Sequence, residues 1–235
     1  MNSFSPCLSL LREYVFPSGC ASCGNTLTGK EEAWYGLCKE CMPRFEIEEG
    51  PRCASCGRPL ISEQGDCLPC REREGFAFDK ALVLWPYRGR YQKILKAYKF
   101  NQFLALGNFF TLKMVQALSY FQLKETSWVP VPPRPGKIRS QGWDQVDYLA
   151  KRLELTQAQR LSRCLVRLPS KSQKKLDRAG RRLNLLGRIL CKKPPPERVV
   201  LFDDVLTTGS TLDVSAAALK AQGAKEVYAL ALFYD

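Results

Sequence analysis

The sequence predicts an α/β protein: an open parallel sheet with helices on both faces, preceded by a small cysteine-rich module. Three observations carry this. Four C-x-x-C pairs crowd into the first third of the 235-residue chain. From about residue 80 onward, apolar runs alternate with helix-length amphipathic segments. One of those runs, VVLF at 199–202, is apolar without a break, as expected of a strand buried on both faces.

Composition sets the bounds. At 45% hydrophobic and 25% charged residues, the chain is of globular type. No apolar stretch reaches the roughly 18 uninterrupted residues that suggest a membrane span, and none is expected. The start, MNSFSPCLSLLREYVFP, has no positive n-region and is broken by Arg12 and Glu13, which argues against a secretory signal. Leu8, Leu10, Leu11, Tyr14 and Val15 suit a short amphipathic helix instead, and the expected location is the cytoplasm. The formal charge of +13 favours polyanionic partners (nucleic acid, phosphorylated metabolites, anionic lipid), although a basic surface also serves solubility. The chain has no histidine. That excludes Ser-His-Asp and Cys-His catalysis and any His-ligated metal, leaving acid–base work to Asp, Glu, Lys, Tyr or Cys.

Eight of the eleven cysteines form one constellation: Cys20/Cys23, Cys38/Cys41, Cys53/Cys56 and Cys67/Cys70, with gaps of 14, 11 and 10 residues. A C-x-x-C turn aims two thiolates at one point, and two turns complete a tetrahedral sulfur site suited to zinc. Gly24 and Gly57 follow the first and third pairs, where a knuckle needs a permissive backbone. A disulfide framework is the rival, disfavoured without an export signal. An iron–sulfur cluster would need only four of the thiolates. The expected cofactors are two structural Zn²⁺ ions, with ligands paired sequentially or crossed. Such closed sites hold a fold or a partner surface and do not catalyse. Eight thiolates and two zinc ions lower the net charge to about +9. Residues 1–75 are assigned to an N-terminal helix and double zinc ribbon, and residues 76–235 to the α/β domain.

RERE at 71–74 reads as a solvated connector. The segment 81–87, ALVLWPY, predicts a strand, and 88–100 and 102–121 predict two helices. SWVPVP predicts the next strand, GWDQVDYLAKRLEL a helix, and RCLVRL a short strand. ERVVLFDDV follows as a strong strand, STLDVSAAALKAQG as a helix ending at Gly223, and EVYALALFY as the last strand. Between them, residues 167–184 are basic and poor in core residues: a surface hairpin, or a flap over a site.

The chemistry concentrates in VVLFDDVLTTGST, residues 199–211. In open α/β sheets ligands bind beyond the carboxyl ends of the strands, where Asp203 and Asp204 lie. Val205 and Leu206 lead into Thr207, Thr208, Gly209, Ser210 and Thr211, which open a helix. Its N-terminus offers free N–H groups and partial positive charge, the hydroxyls add donors, and Gly209 lets the backbone approach. Ser210 with Asp213 predicts a helix N-cap box. The stretch reads as a phosphate cradle beside two carboxylates. Those carboxylates suit sugar hydroxyls, met directly or through Mg²⁺ and water, so a 5-phosphorylated ribose satisfies both halves.

All thirteen positions resemble the phosphoribosylpyrophosphate (PRPP) signature of type I phosphoribosyltransferases. The order of the remaining features resembles the ComF family of competence-associated proteins. These features are the zinc ribbons, Val129-Pro130-Val131-Pro132, Gly142-Trp143-Asp144-Gln145, the Gln173/Leu176/Arg181/Asn184 pattern and the signature. Lys99-Phe100 resembles that family's Lys-aromatic pair. The chain departs from the family at Gln141, which removes a cation, and at Asp144, which adds an anion. Arg139 is placed to compensate in part.

The resemblance implies a type I phosphoribosyltransferase-like fold that binds PRPP with Mg²⁺ and is linked to DNA uptake or nucleotide metabolism. In an active site, Asp203 and Asp204 would hold the ribose. Arg134 and Arg139 would stabilise departing pyrophosphate. A flap carrying Lys171, Gln173, Lys174, Lys175 and Arg181 would close over it. The alternative is a non-catalytic competence factor on the same fold. Its partners would be single-stranded DNA and a DNA-uptake helicase, with Trp34, Tyr35, Trp85, Tyr87, Tyr91 and Trp143 as candidate base-stacking residues.

Overall fold

The structure is a computed structural model and describes residues 19–72, 75–123, 126–169 and 185–235. The expected N-terminal helix and the basic 170–184 segment lie outside the described residues.

The long apolar runs become the centre of a parallel sheet. The strands are β1 (Lys80–Pro86), β2 (Ser127–Pro130), β3 (Arg160–Leu161), β6 (Arg198–Leu206) and β7 (Glu226–Tyr234), in the spatial order β1-β7-β6-β2-β3. Their pairings are all parallel. The central β6 carries Val199 to Phe202 fully buried, the signature of a strand covered on both faces. Side-chain alternation divides the sheet into two cores. Leu82, Val200, Phe202 and Leu230 face one, and Ala81, Val83, Val199, Leu201 and Ala229 face the other.

The helices divide unequally. α3 (Gly89–Phe100), α4 (Ala105–Gln116) and α6 (Gln145–Gln157) pack on the first face. There Trp85 sits among Phe45, Tyr91, Phe109, Phe110 and Phe233. α7 (Ser210–Lys220) covers the second face with a hairpin of β4 (Leu165–Arg167) and β5 (Ile189–Cys191). The RCLVRL strand thus leaves the main sheet and pairs antiparallel with β5. At three residues, with one buried position, it has too little apolar surface to join the sheet interior. The 102–121 segment also divides: α4 ends at Gln116 and a 3₁₀ turn runs over Ala117–Phe121. Among the described residues, no helix is long and apolar enough to cross a membrane.

The cysteine-rich segment forms two knuckled units, with α1 (Lys30–Tyr35) in the first and α2 (Leu68–Arg71) in the second. The first is continuous with the sheet core: Cys20, Leu37, Cys38, Cys41 and Phe45 belong to one buried cluster with Leu84 and Trp85. The second has its own cluster of Cys53, Cys56, Leu60, Cys67 and Cys70, joined to the domain through Phe76. It docks on edge strand β1. Arg52 Nη1 donates to the carbonyls of Gly57 and Val83 at 3.0 and 2.9 Å, and Arg58 donates to the Asp235 carbonyl.

Candidate functional site

The cysteine sulfurs gather sequentially: Cys20, Cys23, Cys38 and Cys41 in one group, Cys53, Cys56, Cys67 and Cys70 in the other. Within each group the ligand atoms lie within 4.8 Å of one another. Cys23–Cys38 and Cys56–Cys67 approach to 3.7 Å between sulfurs. A tetrahedron with metal–sulfur bonds of about 2.3 Å has edges of about 3.8 Å, so both groups fit zinc. Backbone N–H groups point at the sulfurs: Cys38 N at Cys20 Sγ, and Cys56 N and Cys67 N at Cys53 Sγ. These donors suit thiolates. Glu32 braces the first group, accepting from the N–H of Thr28, Gly29 and Lys39.

The second site forms where β6 ends. Arg134, Asp203 and all of Val205 to Thr211 line a cavity of about 220 Å³ over the N-terminus of α7. Gly209 takes φ of +75° and is the cap residue of this helix. The Ser210–Asp213 capping box expected from the sequence is not formed. Ser210 is already helical, its Oγ lies 2.9 Å from Thr208 Oγ1, and the Asp213 carboxylate accepts from the Ala77 N–H at 2.8 Å. A Cβ on Gly209 would meet the Phe76 ring at 2.6 Å, so the loop is backed by an aromatic wall. Behind it, a further cavity joins Thr207 and Thr208 to Cys56, Cys70 and Phe76 of the second ribbon. A larger cavity of about 790 Å³ continues from Asp203 and Thr211 across Arg134, Arg139 and Arg167.

The two acids face different surroundings because successive strand residues point to opposite faces. Asp203 lines both cavities. Asp204 turns toward the helical face. Lys99 Nζ stands 2.7 Å from its Oδ2, and Gln145 Nε2 donates to the same oxygen. Gln145 in turn accepts from Lys137, the first residue of the short helix α5 (Lys137–Gln141), which also pairs with Asp144 at 2.6 Å. Asp144 caps α6, accepting from Val146 N and Asp147 N, so the extra anion at this position is absorbed by structure. Lys137, Gln145 and Arg167 were not among the predicted site residues. The Gly-aromatic-x-Gln segment pointed to Gln145, and the Lys-aromatic pair to Lys99; nothing in the sequence marked Arg167. Of the predicted residues, Asp203, Arg134, Arg139 and Val205 to Thr211 come together around the cavities, and Asp204 stands behind them. Lys171, Gln173, Lys174, Lys175 and Arg181 lie outside the described residues.

These surroundings split the acids electrically. Burial, reinforced by the Asp204 charge, pushes the Asp203 carboxyl up to about 8. Burial acts on Asp204 in the same direction, but Lys99 outweighs it with help from Gln145 and Lys137, holding that group below the usual carboxylate range. An acid raised from about 3.9 in the unfolded chain contributes its stability in acid. The contribution is full below about pH 4 and is lost as pH rises through about 8. Asp203→Asn removes this dependence and keeps an oxygen for the Asp204 N–H. The variant is expected to gain stability over the wild type as pH rises from about 5 to about 8, measured by chemical denaturation. A stability difference constant across that range would show that Asp203 is not held neutral.

Residues 11–71 match the family model of the double zinc ribbon domain. The chain is 29% identical over 203 residues to competence protein F of Haemophilus influenzae, covering 82% of this chain and 87% of that protein. It is 26% identical over 198 residues to competence protein ComFC of Streptococcus pneumoniae, covering 83% and 86%. The chain is similar to these competence proteins over more than four fifths of its length. It is also 25% identical over 197 residues to competence protein ComFC of Bacillus subtilis, covering 80% of this chain and 79% of that protein. The crystal structure of adenine phosphoribosyltransferase from Leishmania tarentolae aligns with 70% of this chain and 94% of its own, at 15% identity and a TM-score of 0.37.

Proposed function

We propose that this protein binds PRPP with Mg²⁺ at the end of β6 and serves competence as a phosphoribosyltransferase-like factor. The single observation that carries the reading is the cavity uniting the α7 N-terminus, Thr207 to Thr211, Asp203 and Arg134. The backbone N–H groups and hydroxyls of the loop would take the 5-phosphate. Asp203 would accept from the ribose hydroxyls, directly or through the water shell of the Mg²⁺ that accompanies PRPP; that ion would neutralise diphosphate charge. Arg134 and Arg139 would draw negative charge away from the anomeric carbon as the diphosphate departs. Asp204 would act from behind, its charge fixed by Lys99 and Gln145.

The competence role comes from the names of the relatives, and single-stranded DNA and a DNA-uptake helicase are its expected partners. The aromatic residues do not favour DNA as the ligand of this site. Trp85 is fully buried, and Tyr35, Tyr87, Tyr91 and Trp143 are packed against the core. Trp34 is exposed, but Arg152 lies over its ring at 5.2 Å.

The test is calorimetric titration of Mg–PRPP into the wild type and Asp203→Asn, which leaves the Lys99–Asp204 pair in place. Wild-type binding weakened at least about tenfold in the variant is expected. No binding by the wild type, or equal binding by both proteins, would overturn the reading.

A further inference from the structure

Arg167 is the last residue of β4, paired across the hairpin with Ile189. The hairpin lies on the face of the sheet that α7 covers. This brings the guanidinium to the wall of the larger cavity, with Arg134, Arg139 and Asp203. Its Nε and Nη2 are shielded from solvent and have no hydrogen-bond partner among the described residues. Buried donors of this kind are rare in folded proteins, because desolvation is not repaid. The neighbourhood worsens the cost. Burial pushes the Arg167 group down, and the Arg134 charge pushes the same way. Among the described residues Asp203 is the anion acting on it in the other direction, and that carboxyl is itself raised toward neutrality.

A guanidinium with unmet donors, standing beside a second guanidinium on the wall of one cavity, is complementary to an anion of more than one charge. On the phosphoribosyl reading the loop at Thr207–Thr211 takes the monoester phosphate, so the unmet donors of Arg167 concern the other end of the ligand. We propose that Arg167 is a ligand-binding residue of this site and, with Arg134, receives the diphosphate end of the phosphoribosyl ligand. The proposal rests on the phosphoribosyl reading above. It explains why a half-buried cation is kept on a hairpin whose remaining side chains are mostly apolar.

The test uses the full chain as wild type, Arg167→Gln and Arg167→Met, titrated with Mg–PRPP, Mg–pyrophosphate and ribose 5-phosphate. Both variants are expected to lose about 10- to 100-fold in affinity for PRPP and pyrophosphate, and to hold ribose 5-phosphate within about twofold. Removing an uncompensated buried charge is also expected to leave thermal stability equal or higher, and the methionine keeps the apolar stem. A purely structural role predicts the reverse: lower stability with ligand affinities in their original ratio. PRPP bound equally by wild type and both variants would overturn the role of Arg167 and leave the phosphoribosyl reading standing. Pyrophosphate binding that depends on Arg167, in a protein that binds neither PRPP nor ribose 5-phosphate, would uphold an anion site and overturn the phosphoribosyl reading.

Discussion

Gly57→Ala is expected to lower the stability of the protein by about 3 kcal/mol or more, while Gly24→Ala costs only about 1 kcal/mol. The two glycines hold the same place in their knuckles, one residue after the second cysteine of a pair, with φ of +73° and +87°. A side chain at either position pays for the left-handed backbone. Only Gly57 pays again in space. A Cβ there would stand 2.2 Å from the Ala81 carbonyl oxygen, 2.4 Å from its carbon and 2.7 Å from Leu82 Cα, whereas at Gly24 nothing lies within 4 Å. The contact is backbone against backbone, so no rotamer relieves it. The second ribbon must back away from β1, breaking the Arg52 bridge to Gly57 and Val83. Calorimetric unfolding is the measurement. A fall in Tm of roughly 6–12 °C for Gly57→Ala is expected, against roughly 2–4 °C for Gly24→Ala, with zinc content unchanged in both. Equal small effects would show that the second ribbon does not pack on β1. Because that ribbon backs Thr207 and Thr208, Gly57→Ala should also weaken the phosphate binding proposed for this loop.

Lys99→Met is the second large effect, with an expected loss of about 3–5 kcal/mol at neutral pH. Asp204 is 6% exposed and Lys99 is its one direct ion-pair partner among the described residues. Removing the cation strands a buried carboxylate, leaving the Gln145 amide as its nearest donor. The sign of the pH dependence follows from the lowered Asp204 value. The native pair contributes stability above the unfolded carboxylate range of about 4, and that contribution is lost as pH falls through the lower folded value. In the variant the same carboxyl is left to burial, which pushes it up, and acid relieves the penalty. The gap between the two proteins should therefore be widest above about pH 5 and close in acid, in urea unfolding compared at each pH. Adding Asp204→Leu to Lys99→Met should recover most of the loss, because an apolar pair of similar volume carries no desolvation cost. A gap independent of pH, or no recovery in the double variant, would contradict the pairing.

Both predictions turn on differences that local sequence does not contain. The chain announces β6 and β7 by continuous apolar runs, α3 and α6 by helical spacing, and the zinc ligands by paired cysteines. These are short-range patterns, governed by the periods of strand and helix and by the reach of a metal–sulfur bond. The 199–211 stretch belongs with them: strand, paired acids, small hydroxyl residues and helix lie in one unbroken segment, so its cavity was legible before the fold. Gly24 and Gly57 are equivalent in sequence, and the path of the chain past β1 separates them. Asp203 and Asp204 read as a matched pair, and the alternation of the strand sends one to the cavity and the other to Lys99. β4 reads as one more strand of the sheet, and its pairing with β5 across the 170–184 segment carries Arg167 to the site instead. The sequence by itself determined most of the elements, the two cysteine groups and the small hydroxyl-rich loop before α7, because each is specified by neighbours along the chain. Tertiary structure alone decided which acid is raised toward neutrality, which glycine is irreplaceable and which arginine keeps two buried donors unbonded among the described residues, because burial and charge pairing are properties of residues brought together from distant parts of the chain.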